Sequence, residues 1–166
     1  MDETRDATPA TDGADQTSAE LTDQDLELLN SMFDLARDGG TERLAAFLDA
    51  GLPVNLTNGK GDTLLILAAY HQHADTVAAL LARDAETERV NDMGQTALAA
   101  AVFRQNETIV RALLGAGADP HGGRQTPVSV AEYFQLPAMA ELLRGAGDQT
   151  TGQTGQGGGR TTETAD

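Results

Sequence analysis

The sequence predicts an all-α fold, a solenoid of helix–turn–helix units with capping units at its ends and flexible tails. Residues 61–82 overlay residues 94–115 at an offset of 33, and residues 124–145 follow at an offset of 30. Within each copy the apolar residues recur every three or four positions, which is the period of a helix and not of a strand. A repeat of this length indicates stacked supersecondary units.

Each unit is predicted to contain two short helices. Thr63, Thr96 and Thr126 stand at corresponding positions, and each can cap a first helix because its hydroxyl can accept a hydrogen bond from an unpaired amide. In the second helices the apolar residues form two matched ladders. These ladders are Leu44, Val77, Val110 and Ala140, and Phe47, Leu80, Leu113 and Leu143. Both ladders are expected to face the core.

Glycines mark the expected ends of the second helices. Gly51, Gly117 and Gly147 can take the left-handed conformation that follows a helix, and Asp84 holds this place in the second unit. We therefore expect the chain to turn away from each second helix at these residues.

The end units are predicted to act as caps. Thr22 and Asp25 indicate a capping box at the start of a longer first helix, which Gly39 ends. In the last unit Glu132 and Arg144 stand where the internal units have apolar residues. A terminal unit has no neighbour on one side, so these charges can face water without a burial cost.

Charge and composition divide the chain into three parts. Residues 1–22 are an acidic arm and residues 148–166 are a tail rich in Gly, Thr and Gln. Neither has enough large apolar side chains to offset the entropy of ordering, so both are expected to be disordered. The repeat domain between them is predicted to contain units at about 23–57, 58–90, 91–123 and 124–147. The arm is interpreted as a solubilising tail, with a docking segment as the alternative.

The overall composition limits the class of protein. The chain has 166 residues, 26 acidic and 11 basic side chains, a net charge of −15 and no cysteine. Disulfides, zinc–cysteine sites and thiol catalysis are therefore excluded. The acidic balance argues against partners such as nucleic acid or an anionic membrane. No apolar run approaches the roughly 20 residues of a membrane span and no secretory signal is visible, so a cytoplasmic protein is expected.

The repeats resemble the ankyrin repeat. Residues 61–82 read G-D-T-L-L-I-L-A-A-Y-H-Q-H-A-D-T-V-A-A-L-L-A, which is similar to the family pattern G-x-T-P-L-H-x-A-A-x-x-G-H-x-x-x-V-x-x-L-L. The resemblance covers about residues 24–147. It departs from the pattern where the Pro is kept only as Pro127, and where Gln72 and Gln105 replace the glycine between the helices. The resemblance implies a protein–protein interaction module of a kind common in bacteria, without enzymatic activity or cofactor.

One segment is similar to a metal-binding motif. His71, His73 and Asp75 form H-x-H-x-D, which opens the motif of metallo-β-lactamase-type hydrolases. Such a site needs further His and Asp ligands, and only His121 remains. The segment is therefore interpreted as a turn between helices, with His73 as the turn histidine of the repeat. No catalytic residue, metal site or cofactor is predicted, because no phosphate-binding loop or nucleophile elbow is present.

A protein-binding groove is the preferred functional prediction. Solenoids of this kind leave a concave surface, and ankyrin contacts come mostly from loop tips and from the ends of the first helices. The corresponding loop residues are Gly59, Lys60, Asp62, Asp92, Met93, Gln95 and Gln125. The corresponding helix-end residues are Arg37, Asp38, Tyr70, His71, Phe103, Arg104, Tyr133 and Phe134. Aromatic anchors beside Arg and Met are typical of an interface centre.

Alternatives to this prediction stay open. The aromatic side chains could instead pack together and stiffen the groove. The protein could be an immunity or inhibitor-type protein whose acidic surface masks a basic site on an enzyme or toxin, which predicts strongly salt-dependent association. An enzyme would retain a metal ion and lose it when His71 is replaced. The expected partner is a protein of unknown identity, and the expected state is a monomer.

Overall fold

The structure is a computed structural model that describes residues 21–147, and within this range it contains eight α-helices and no β-strand. The helices are α1 Asp23–Asp38, α2 Thr41–Asp49, α3 Leu64–Tyr70, α4 Ala74–Leu81, α5 Ala97–Phe103, α6 Glu107–Gly115, α7 Pro127–Tyr133 and α8 Pro137–Gly147. The tail and nearly all of the acidic arm lie outside the described residues. Their disorder and the domain bounds therefore stay predictions.

The helices form two layers. The first helices α1, α3, α5 and α7 pack side by side in chain order, and so do the second helices α2, α4, α6 and α8. The two helices of each unit also contact each other across the layers. This arrangement confirms the predicted all-α solenoid. No helix within residues 21–147 combines the length and the apolar character needed to cross a bilayer.

The first helices begin at the predicted threonines. The hydroxyls of Thr63, Thr96 and Thr126 each accept a hydrogen bond from the amide three residues ahead, at 3.1, 3.2 and 3.1 Å. Each bond satisfies an amide that has no partner inside the helix. At the start of α1, Thr22 and Asp25 form the predicted capping box.

The ends of the helices follow the predictions in the first three units. Gly39, Gly51 and Gly117 have φ of 80°, 104° and 91°, and Asp84 has φ of 60°, so all four are left-handed. Gly147 is the last described residue of α8, so the predicted turn of the chain after this glycine stays a prediction.

The core lies between the two layers. Alanines in the middle of the first helices, Ala68, Ala69, Ala100 and Ala101, are at most 1% exposed. Their small side chains let neighbouring first helices pack closely, while larger residues such as Leu80 fill the space between the layers. Glu132 and Arg144 are exposed, which confirms that charge in the last unit faces water.

Candidate functional site

A groove with a volume of about 710 Å³ runs between the loops that precede the first helices and the first helices themselves. Most of the predicted contact residues lie around it. Those that line it are Arg37, Gly59, Lys60, Asp62, Tyr70, His71, Met93, Gln95, Phe103, Gln125 and Phe134. Asp38, Asp92, Arg104 and Tyr133 lie outside its lining. The structure therefore brings together residues from all four units.

Three rings form an aromatic row along the helix side of the groove, namely Tyr70, Phe103 and Phe134. The rings of Tyr70 and Phe103 are stacked with centroids 6.2 Å apart, and the ring of Phe134 meets Phe103 edge to face at 5.3 Å. The side chains remain 38%, 36% and 49% exposed in that order. The row is thus packed within itself and open to the groove.

The register of the aromatic row shifts by one residue in the last unit. Tyr133 is the residue equivalent to Tyr70 and Phe103, yet it is 81% exposed and does not line the groove. Phe134, which follows the end of α7, takes the place beside Phe103. Among the described rings, Tyr133 meets the row at Phe134, in a T-shaped pair with centroids 5.0 Å apart.

Basic side chains surround one end of the aromatic row. The guanidinium carbon of Arg104 lies 5.3 Å from the ring centroid of Tyr70, a cation–π contact. His71 meets the same ring edge to face at 5.3 Å. The pKa of His71 lies below its usual value, first because partial burial disfavours the charged ring and then because Arg37 is positively charged. Both effects favour the uncharged imidazole.

Asparagines hold the loop side of the groove. The Asn58 side-chain oxygen accepts hydrogen bonds from the amides of Lys60 and Asp62, at 2.9 and 3.0 Å. Asn91 repeats this pattern one unit later, with the amides of Met93 and Gln95 at 3.1 and 3.0 Å. Asparagine suits such turns because its side chain can bind amides further along its own backbone.

Hydrogen bonds also join successive loops. The Asn91 side-chain nitrogen donates to Asp62 at 2.8 Å, and the Gln95 side-chain nitrogen donates to Gln125 at 3.1 Å. The loop side is therefore a connected polar surface.

Several residues of the groove were not predicted from the sequence. Asn58 and Asn91 line it on the loop side, and Ile66, Leu67 and Val130 line it on the helix side. The 33-residue spacing of the two asparagines was the available signal for the first pair. The apolar three were not singled out from the sequence, and each is less than 9% exposed, so they also belong to the core.

The H-x-H-x-D segment is a turn, as predicted. It begins directly after α3 and enters α4, and the His73 ring nitrogen Nε2 lies 2.8 Å from the main-chain oxygen of Arg37 in the preceding unit. His71 faces the groove and Asp75 is exposed in the first turn of α4. Between residues 21 and 147, no group of three or more His, Cys, Asp or Glu side chains is placed to hold a metal ion.

Comparison with known proteins identifies the family. A family profile described as ankyrin repeats, in three copies, matches residues 32–122, more than half of the chain. This chain belongs to the ankyrin repeat family. It is similar to an ankyrin repeat protein of Pseudomonas aeruginosa (strain PAO1), with 52% identity over 63 residues. The aligned part covers 38% of this chain and 37% of that relative, so the chain matches little more than a third of the relative's length.

Membership sets a general expectation for activity. Ankyrin repeats are generally protein–protein interaction modules and are typically not enzymes. The groove described above lies between the loops and the first helices, where the resemblance predicted the contact residues.

Proposed function

We propose that this protein binds a protein partner through the groove, with the aromatic row as the centre of the contact. The observation that supports this most strongly is the exposure of Tyr70, Phe103 and Phe134 along one concave surface. Exposed apolar side chains gathered in a groove and rimmed by polar groups are typical of interaction sites. Aromatic residues of this kind supply much of the binding energy at interfaces.

The loop side supports the same proposal. Its turns are held by Asn58 and Asn91, and neighbouring loops are joined through Asp62 and through Gln95 with Gln125. A surface that is ordered before binding loses less conformational entropy when a partner binds. The groove therefore suits a specific contact with little rearrangement.

Affinity capture from the native lysate tests this proposal. The bait variant combines Tyr70→Ala, Phe103→Ala and Phe134→Ala, and the matched control is Tyr133→Ala, which removes an aromatic ring outside the groove lining. We expect captured proteins to be lost with the triple variant and kept with the control, while circular dichroism shows both to be helical. Unchanged capture by a folded triple variant would contradict the proposal.

The inhibitor alternative makes a different prediction for the same experiment. If an acidic surface masks a basic enzyme or toxin, raising the salt concentration should abolish capture. The screening length is about 8 Å at physiological ionic strength, and added salt shortens it further, which weakens the attraction between exposed charges. The aromatic substitutions should then have the smaller effect. Capture that depends on the aromatic row and survives added salt would reject this alternative.

The proposal also includes the state and location of the protein. We expect a cytoplasmic monomer without a cofactor, whose partner is neither nucleic acid nor a membrane. Light scattering of the purified chain tests the monomer, and elemental analysis tests the expected lack of a metal ion. A dimer that buries the aromatic row would contradict the proposed site.

A further inference from the structure

Basic side chains without an acidic partner concentrate at the groove. Between residues 21 and 147, four arginines form ion pairs with neighbouring carboxylates, namely Arg37, Arg83, Arg89 and Arg111. Five other basic residues of this range form none, namely Arg43, Lys60, Arg104, Arg124 and Arg144. Of these five, Lys60 lines the groove, Arg104 stacks on a groove residue and Arg124 lies in a loop beside it.

Lys60 presents its charge from a fixed loop. Its amide donates to the Asn58 side chain at 2.9 Å, and its carbonyl oxygen accepts the amide of Asp92 from the next loop at 3.0 Å. The backbone is thus held on both sides while the residue itself stays exposed. It is the only lysine in the chain.

Arg104 presents its charge from the helix side. Its guanidinium lies against the ring of Tyr70, 5.3 Å from the centroid, and forms no ion pair within the described range. A guanidinium stacked on a ring keeps N–H donors available at its edge, and their spacing fits the two oxygens of a carboxylate. Arg104 therefore places a carboxylate-binding group next to the aromatic row.

The acidic residue in the groove lining is already occupied. Asp62 accepts hydrogen bonds from the side-chain nitrogens of Asn91 at 2.8 Å and Asn58 at 3.3 Å. Its carboxylate thus serves to join two loops. Lys60 and Arg104 are the groups that remain for a ligand.

We propose that the groove takes an acidic peptide segment of a partner protein, in which Asp or Glu side chains flank an apolar or aromatic anchor. The anchor packs on the aromatic row, and the carboxylates pair with Lys60 and Arg104. This inference rests on the proposed function and adds the chemistry of the partner. It differs from the inhibitor alternative, which requires a basic partner.

The net charge of −15 does not prevent such binding. An acidic peptide is repelled mostly by carboxylates that are spread over the helices and tails. At physiological ionic strength exposed charges are screened beyond about 8 Å. Contacts with Lys60 and Arg104 act at shorter range. The sign of the charge inside the groove therefore decides which segment is held.

Fluorescence anisotropy with labelled peptides tests the inference on the full chain. Three peptides of the same length carry one central Trp flanked by Glu, by Lys or by Gln. We expect the Glu-flanked peptide to bind most tightly, and its affinity to fall about tenfold in the double variant Lys60→Gln with Arg104→Gln. The matched control is Arg43→Gln with Arg144→Gln, which makes the same change in net charge outside the groove. It should bind like the wild type.

Several results would overturn the inference. They are equal or tighter binding of the Lys-flanked peptide, no binding of any peptide, or an equal loss of affinity in the control variant. If the triple aromatic variant loses its captured partner while the Lys60→Gln and Arg104→Gln variant keeps it, the proposed function holds and the acidic segment is wrong. Capture that survives both variants contradicts the proposed function itself.

The chain's own acidic arm is the competing occupant. A variant with the six acidic residues of 1–20 changed to Asn or Gln tests this, in the otherwise full chain. If the arm filled the groove, this variant would bind the Glu-flanked peptide more tightly than the wild type and would shift the NMR signals of the aromatic row without peptide. That result would overturn the assignment to a partner. Unchanged affinity supports it.

Discussion

The rings of Tyr70 and Phe103 lie nearly parallel, at an angle of 9° with centroids 6.2 Å apart, although 33 residues separate them in the chain. Each ring is the last residue of a first helix, so the contact joins the ends of α3 and α5. Aromatic pairs of this kind contribute about 0.5–1.5 kcal/mol beyond the area they bury. The same two rings also line the groove.

This contact shows that packing and partner binding, the two interpretations of the aromatic residues, are compatible. Packing and partner binding were alternatives at the level of sequence, because each could explain aromatics at one register. In the structure the rings contact one another through one face or edge and remain more than a third exposed. A ring can therefore support its neighbour and still offer a surface to a partner. Capture and stability must be measured on the same variants for this reason.

Three glutamines in the turns between helices are expected to lower stability. Gln72, Gln105 and Gln135 have φ of 66°, 57° and 55°, a region where a residue with a Cβ atom costs about 1–2 kcal/mol. Replacement by glycine removes this cost but increases the entropy of the unfolded chain. We expect each substitution to raise the free energy of unfolding by about 0.5–1 kcal/mol. Urea denaturation followed by circular dichroism measures this change.

A control separates relief of strain from other effects of glycine. Ala116 is exposed at the end of α6 and has φ of −86°, so Ala116→Gly relieves nothing and should lower stability slightly. The explanation by strain fails if Gln105→Gly is no more stable than Ala116→Gly.

The parts of the fold that depend on residues close together in the sequence could be predicted. Helix starts at Thr63 and Thr96 and the helix end at Gly51 follow from bonds and backbone angles within a few residues, so the repeat pattern was sufficient.

Contacts between units were harder to predict. Phe134, and not Tyr133, packs beside Phe103, although the repeat alignment pairs Tyr133 with Phe103 and Phe134 with Arg104. The bond from Asn91 to Asp62 likewise joins two loops that are 29 residues apart. Such contacts depend on how the units stack, and a single sequence contains no direct measure of stacking.

The turn between α3 and α4 has one feature that was predicted from the sequence and one that was not. Its histidine, His73, was assigned correctly from the repeat, but its bond to the main-chain oxygen of Arg37 was not expected. The structure also explains why the first unit keeps a glycine where later units have glutamine. A Cβ atom at Gly39 would lie 2.6 Å from the His73 ring nitrogen Nδ1. Glycine is required there by space as well as by its φ of 80°.

A partly buried pair of hydroxyls between α2 and α4 should be energetically coupled. Thr76 is 0% exposed, and its oxygen lies 2.7 Å from the Thr41 oxygen, whereas the equivalent residue of the next unit is the apolar Ile109. A buried hydroxyl without a partner is costly, so we expect Thr76→Val to lower the free energy of unfolding by about 1 kcal/mol. Urea denaturation of both single variants and the double variant measures the coupling.

The double variant decides whether the loss of the hydrogen bond causes the loss of stability. With Thr41→Val added, the total loss should be smaller than the sum of the single losses by about 0.5–1 kcal/mol, since neither hydroxyl is then left unpaired. Thr108→Val on the exposed side of α6 is the matched control and should change little. Strict additivity of the two single losses would show that the pair contributes nothing of its own.

His71 should make the free energy of unfolding and the charge of the groove depend on pH. Its pKa in the folded chain is lowered, first by loss of solvation and then by Arg37, so folding favours the uncharged ring. This contribution to stability is fully present above the unfolded pKa of about 6.5, declines below it, and is lost as the pH falls through the lower pKa of the folded chain. An NMR titration should therefore place the pKa of His71 below 6.5, and Arg37→Gln should raise it, while Arg43→Gln on α2 should not. Equal pKa values in all three chains would show that Arg37 does not act on this ring, and its charge would then have no part in keeping the groove histidine neutral.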